Sequence, residues 1–202
     1  MMDVAIVNYE AGNLRSVETA LRRLGYEYRI ATRPEEVLRA DKVLFPGVGD
    51  ARAVMEVLGR SGVAAALRER HAAGGSILGI CVGAQVVLER SEENSASCLG
   101  LVPGTARRLP GGDGLKVPHM GWNQVRYREG HWLFAGIPQD TSFYFVHSYY
   151  PDPADRSTVL ADTEYGVSFA SGLERDNLTA VQFHPEKSGE FGLRLLSNYL
   201  AH

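Results

Sequence analysis

From Asp3 to Glu89 the chain changes period again and again, short β-rich runs alternating with segments whose apolar residues fall at helical spacing. Asp3 to Asn8 is β-rich, and Asn13 to Leu24 sets Leu14, Val17, Leu21 and Leu24 on one helical face before Gly25. Glu27 to Ile30 predicts a second strand, and Thr32-Arg33-Pro34-Glu35 has the spacing of a capping box with proline in the first turn. Lys42 to Phe45 predicts a third strand, ending at Pro46-Gly47-Val48-Gly49. Helical pattern runs from Ala51 to Ala73, broken near Gly59-Arg60-Ser61-Gly62; Ser76 to Ile80 then reads as strand and Val82 to Glu89 as helix. Such an alternation buries its apolar faces as a parallel sheet covered by helices on both sides.

The second half changes character. Leu115 to Tyr127, Thr141 to Tyr149, Thr158 to Asp162, Val167 to Leu173 and Leu178 to Phe183 predict strands separated by turn signals, several of them antiparallel. Pro110-Gly111-Gly112-Asp113-Gly114 predicts a turn or flexible loop, the mobile segment expected in mid-chain. Gly189 to Leu200 predicts a closing helix, with Ser188 as its candidate cap. No internal repeat or low-complexity linker divides the chain, so one domain over 1–202 is expected. The expected fold class is α/β, a mixed, largely parallel central sheet flanked by helices with an antiparallel β extension in the second half.

Composition narrows the function classes. A net charge of -3 gives no bulk attraction to nucleic acid, and Arg22-Arg23 and Arg107-Arg108 read as solvated faces or a local partner patch. Two cysteines, Cys81 and Cys98, are too few for a disulfide framework, and the N-terminus does not read as a signal peptide, so the cytoplasm is expected. No apolar run approaches the ~18 residues that span a bilayer, so no membrane segment is expected.

Cys81 lies at the centre of Gly79-Ile80-Cys81-Val82-Gly83, between a predicted strand and a predicted helix. The setting reads as a nucleophile elbow, with the sulfur at a helix N-terminus whose dipole favours thiolate. A small core hydrophobe is the other reading of a glycine-flanked cysteine. A thiolate mechanism needs a base, usually histidine. Of the six histidines, His71, His131 and His202 sit in polar or terminal stretches and are expected at the surface. His184 differs, since in Phe183-His184-Pro185-Glu186 it follows an apolar strand, and Pro185 keeps the chain extended or turning. Residues two apart on extended backbone face the same way, so Glu186 can reach the His184 ring and fix its tautomer. A plain strand-end turn accounts for the tetrapeptide as well. The Val82 N–H and the glycine turn Pro46-Gly47-Val48-Gly49 can supply oxyanion donors, although glycine turns also cradle phosphate. That turn lacks the lysine and spacing of a P-loop. His119, His147 and Asp152 are scattered without metal-ligand spacing, and neither a metal nor a cofactor is expected.

Taken together, Phe45-Pro46-Gly47-Val48-Gly49, Gly79-Ile80-Cys81-Val82-Gly83-Ala84-Gln85 and Phe183-His184-Pro185-Glu186-Lys187-Ser188 resemble the class I triad glutamine amidotransferases, in order and spacing, over the whole chain. Pro118-His119-Met120-Gly121-Trp122-Asn123, Tyr144-Phe145-Val146-His147-Ser148-Tyr149-Tyr150 and Gly12-Asn13-Leu14-Arg15-Ser16-Val17 narrow the resemblance to the glutaminase subunits of imidazole glycerol phosphate synthase.

The resemblance implies a flavodoxin-like fold and hydrolysis of L-glutamine. Cys81 would be the nucleophile, His184 the general acid/base and Glu186 its orienter. Gly47, Val48 and Val82 would form the oxyanion hole, with the Val48 peptide as one that can reorient for activity. Gly49, Gln85, His147, Ser148 and Tyr149 would line the glutamine pocket. It also implies a heterodimer with a (β/α)₈ cyclase, at whose interface Asn13, Trp122 and Lys187 match family positions. There ammonia would give imidazole glycerol phosphate and an aminoimidazole carboxamide ribotide in histidine biosynthesis, with glutaminase activity low until the cyclase binds its nucleotide substrate. Two departures stand out: Val82-Gly83-Ala84-Gln85 where the family more often has Leu-Gly-Met-Gln, and Asn8-Tyr9-Glu10 in place of Asp-Tyr-Gly. A glutaminase serving another synthase and a non-catalytic regulatory module of the same fold are the alternative readings; the second would show a lost triad member, and none is lost.

Overall fold

The computed structural model describes residues 2–9, 14–112 and 114–202. In the first half β1 (Val4–Val7), α1 (Arg15–Leu24), β2 (Arg29–Ala31), α2 (Pro34–Leu38), β3 (Lys42–Gly47), α3 (Ala51–Arg60), α4 (Val63–Ala72), β4 (Ser76–Cys81) and α5 (Val82–Val86) follow one another. Two short strands, β5 (Arg90–Ser91) and β6 (Ala96–Ser97), lead into β7 (Gly104–Arg108), β8 (His119–Tyr127), β9 (Thr141–His147) and β10 (Tyr149–Pro153). Then come β11 (Val159–Glu164), β12 (Ser168–Arg175), β13 (Leu178–Val181) and the closing helix α6 (Gly189–Ala201).

A nine-stranded sheet has the order β2-β1-β3-β4-β13-β12-β11-β8-β9. From β2 to β13 the pairings are parallel, and from β13 to β9 they are antiparallel. The strand β13 is the junction, parallel to β4 in the register Val181 opposite Ile80. Because these two strands run the same way, their carboxyl ends lie together, and the chain leaving β13 arrives beside Cys81. Strands β1, β3, β4 and β13 are near-continuous apolar runs, and they are buried almost throughout, as strands covered on both faces must be.

The second half holds a feature the sequence pattern does not reveal. Strands β10, β7, β5 and β6 form a separate four-stranded sheet. The run read as one strand from Thr141 to Tyr149 is split at Ser148, whose carbonyl accepts from the Leu109 amide, so that β9 belongs to the large sheet and β10 to the small one. Pro151 and Pro153 fit because β10 is an edge, where a missing N–H is tolerated.

Two further expectations are corrected. The helix expected over Val82 to Glu89 stops at Val86, because the carbonyls of Val86, Val87 and Leu88 accept from the amides of Leu99, Gly100, Leu101 and Val102 rather than from a further helical turn. The capping residue of α2 is Glu36 and not Glu35: its Oε2 accepts from the amides of Thr32 and Arg33, at 2.9 and 3.0 Å. A buried cation also escaped the pattern. Arg70 on α4 is 4% exposed, and its guanidinium donates to the carbonyls of Val37, Ala40, Asp41 and Ser76, tying the end of α2 to the start of β4. The 110–114 turn closes through the Leu115 amide on the Gly112 carbonyl, Asp113 lying outside the described residues.

Candidate active site

Cys81 ends β4 and caps α5 at φ 56° and ψ -108°, a backbone conformation that costs a non-glycine residue on the order of 1–3 kcal/mol. The turn is therefore made by the cysteine itself, and the neighbouring glycine serves close approach instead. A Cβ at Gly83 would collide with the Phe45 carbonyl oxygen of β3. With only five residues, α5 brings a weak dipole to the sulfur, so individual donors matter more.

His184 follows β13 and is buried, as is the side chain of Glu186. The ring Nδ1 and Glu186 Oε1 are 2.7 Å apart, which makes Nδ1 the donor and leaves Nε2 for proton exchange. Nε2 is buried, on the side of the Cys81 sulfur. Burial alone would lower the affinity of His184 for its proton. Attraction to the Cys81 sulfur, then the hydrogen bond and charge of Glu186, outweigh it and raise the ring to about 10. Ser188, the expected cap of α6, makes no side-chain cap. Its hydroxyl donates to the His184 carbonyl at 2.6 Å and accepts from the Tyr144 amide at 2.9 Å, and the His184 amide donates to the Tyr144 carbonyl. The His184 segment is thus stitched to β9.

A cavity of about 260 Å³ opens at Cys81, lined by Val48, Gly49, Val82, Gln85, Glu93 and the 146–149 segment. Gly49, Gln85, His147, Ser148 and Tyr149, the pocket residues expected from sequence, all lie on it. Val82 sits in the first turn of α5, where amides have no partner within the helix. Val48 is differently placed. Its amide donates to the Tyr9 hydroxyl at 2.9 Å, while its side chain projects from a turn in which the residue is 37% exposed. Gly47 is needed there because a Cβ would collide with that same hydroxyl. Tyr9 is buried, its ring edge-on to Phe45 at 6.2 Å.

Sequence reasoning missed Tyr9, Glu93 and Gln182. Glu93 stands in an unremarkable acidic loop, yet it lines the cavity, accepts from the Ala51 amide at 2.9 Å, and has its carboxyl pushed up by burial, an effect the Ala51 hydrogen bond opposes. Gln182 is fully buried, and its signal was legible as the one amide in the apolar run Leu178 to Phe183. His119 and His147, scattered in sequence, pair directly in the register of β8 and β9, with His119 Nδ1 2.9 Å from His147 Nε2. Burial lowers both rings, His119 to about 4 and His147 to about 3, so both are neutral imidazoles at neutral pH. Among the described residues no cluster of three or more His, Cys, Asp or Glu side chains could hold a metal ion.

The remaining sequence candidates separate. Trp122 is 59% exposed beside Met120 at 63%, and packs edge-on to Tyr144 at 6.1 Å, which carries it toward the segment holding His184 and exposed Lys187. Asn13 lies outside the described residues. His131 is not a surface residue: its side chain is largely buried, 2.6 Å from Glu174. His71 is half-buried near Asp176, whereas His202 is exposed and stacks on Trp132. Cys98 is a buried bystander whose thiol burial pushes up to about 11. Among the described residues no helix is long and apolar enough to cross a membrane.

Comparison with known proteins gives a concordant picture. Residues 5–202 match the family described as glutamine amidotransferase class-I. Two curated relatives are both named imidazole glycerol phosphate synthase subunit HisH. That of Dehalococcoides mccartyi is 47% identical over 97% of this chain and 95% of its own length, and that of Moorella thermoacetica 48% identical over 98% and 94%. Among solved structures, that of PurLQS from Thermotoga maritima superposes with a TM-score of 0.76 over 99% of this chain and 98% of its own, at 17% identity, a likeness of fold alone.

Proposed function

The chain belongs to the class-I glutamine amidotransferase family, and on that premise we propose that it is the glutaminase subunit of an imidazole glycerol phosphate synthase, a single domain over 1–202 acting in the cytoplasm. The observation that carries the reading is the meeting of the strained Cys81 elbow with the buried His184–Glu186 pair at the ends of two adjacent parallel strands.

L-Glutamine would enter the cavity with its α-ammonium toward Glu93, the carboxylate on the lining. The Cys81 sulfur attacks the side-chain amide carbon, and the resulting oxyanion is held by the Val82 amide and, once it leaves Tyr9, by that of Val48. His184, holding its proton at neutral pH, delivers it to the departing nitrogen; the C–N bond breaks and ammonia leaves. Neutral His184 then takes a proton from water, whose oxygen attacks the thioester. Glutamate is released and the sulfur is regenerated. Glu186 holds the ring's tautomer throughout.

Exposed Met120 and Trp122, together with Lys187, offer the face for a (β/α)₈ cyclase that receives the ammonia. In the free chain the Val48 amide is engaged by Tyr9, an arrangement suited to low activity until the partner and its substrate shift the turn. The test is a reconstituted complex with the cyclase. Cys81→Ala should abolish glutamine-dependent synthesis while ammonium salt still supports it; retained glutamine-dependent synthesis would overturn the reading.

A further inference from the structure

We propose that Gln182 is a catalytic residue of this site, donating a hydrogen bond to the Cys81 sulfur and fixing the polarity of Gln85. The Tyr149 backbone carbonyl can only accept, and Gln85 Nε2 lies 2.8 Å from it. Gln85 therefore presents its amino group there, and the second hydrogen of that amino group is directed at Gln182 Oε1, 3.1 Å away. With its carbonyl committed to Gln85, Gln182 must turn its own amino group to the remaining neighbour, Cys81 Sγ, at 3.7 Å. Flipping Gln182 would set two donors face to face and aim a carbonyl at the sulfur, so the orientation is forced by the chain of partners.

Two consequences follow for the chemistry. An N–H donor aimed at sulfur stabilises its negative form more than its neutral form. This supplies what the five-residue α5 supplies only weakly. Secondly, both amino hydrogens of Gln85 are spent inside the protein, leaving its carbonyl oxygen to accept from a donor in the cavity.

The inference rests on Cys81 as nucleophile, and the measurement that decides it is independent of any substrate. The pH dependence of Cys81 alkylation by iodoacetamide is followed peptide by peptide in the free chain, with buried Cys98 as the internal control. Gln182→Glu keeps the shape and the acceptor for Gln85 but replaces the donor with a carboxylate. Gln182→Leu removes both contacts. In both variants the alkylation midpoint should move to higher pH, further in Gln182→Glu, with labelling at neutral pH slowed on the order of tenfold. In the complex with cyclase and its substrate, Gln182→Glu should lower kcat with KM nearly unchanged, whereas Gln182→Leu should also raise KM. Alkylation midpoints that coincide with the wild type would overturn the proposal, whatever either variant does to the Tm. Should Gln182→Leu fail to fold, the isosteric Gln182→Glu decides alone. Absence of glutamate formation by the wild-type complex would instead defeat the glutaminase reading and leave the sulfur contact standing.

Discussion

The two walls of the site around Cys81 differ in how firmly they are built. On one, Cys81, His184, Glu186 and Gln182 are buried and tied to parallel strands, to β9 and to one another. On the other, the Pro46–Gly49 turn leaves Val48 37% exposed, with its amide given to the Tyr9 hydroxyl. In the proposed mechanism, nucleophile, base and orienter are in place before substrate arrives, while a donor for the oxyanion is turned elsewhere. On that proposal the free chain is chemically primed and electrostatically incomplete, and control belongs to the less constrained wall.

The largest effects should come from breaking the primed wall. Cys81→Ala removes the nucleophile, and glutaminase activity of the complex should fall on the order of 10⁶-fold, measured as glutamate release. Glu186→Gln keeps the volume but removes the charge and the tautomer control from His184, and a loss on the order of 10³- to 10⁴-fold in kcat is expected. If Glu186→Gln costs less than about tenfold, the orienting role assigned to the carboxylate is wrong.

How much of each wall could be read from the sequence follows the same division. Cys81, His184 and Glu186 could be nominated from local pattern, glycines around an elbow and a proline between two residues that can share a face, with other readings left open until the motifs were taken together. The parallel half of the fold was legible for a similar reason, since each strand and helix carries its own period. Contacts between distant segments were not. Gln182 meets Cys81 only because β13 pairs with β4, a pairing across 101 residues that no local pattern encodes. His119 and His147 became neighbours through the register of β8 and β9, and Arg70 reads as one more charge on a polar helix until four carbonyls converge on it. The small sheet stayed hidden because two of its strands have two residues each, and a third carries prolines.

Relaxing the second wall tests the comparison from the opposite side. Tyr9→Phe removes the hydroxyl that holds the Val48 amide and leaves the ring against Phe45. The activity of the free chain, without cyclase, should rise about threefold to tenfold, the worth of one hydrogen bond, and stimulation by the partner should shrink by a similar factor. Unchanged basal and stimulated rates would show that the Tyr9 contact does not limit the resting enzyme.

The smallest expected effect is a mark the primed wall leaves on stability even when no partner is present. His184 is raised to about 10 in the folded chain, above an ordinary value of 6.5, so the folded state holds this proton more tightly than the unfolded state does. The stabilisation is complete below about 6.5, declines as pH rises, and is gone once pH has passed through about 10. His119 and His147 carry the opposite sign. Lowered to about 4 and about 3, they contribute stability that is present above 6.5 and lost as pH falls through those values. Attraction to the Cys81 sulfur is the foremost influence raising His184, so Cys81→Ala should weaken the alkaline dependence, leaving the part due to Glu186, and leave the acid limb untouched. Thermal melts of the two proteins between pH 4 and 10 provide the measurement. An alkaline limb that is equally steep with and without the sulfur would mean that the cysteine and histidine are not coupled in the resting chain, and the contrast between the two walls would then rest on burial alone.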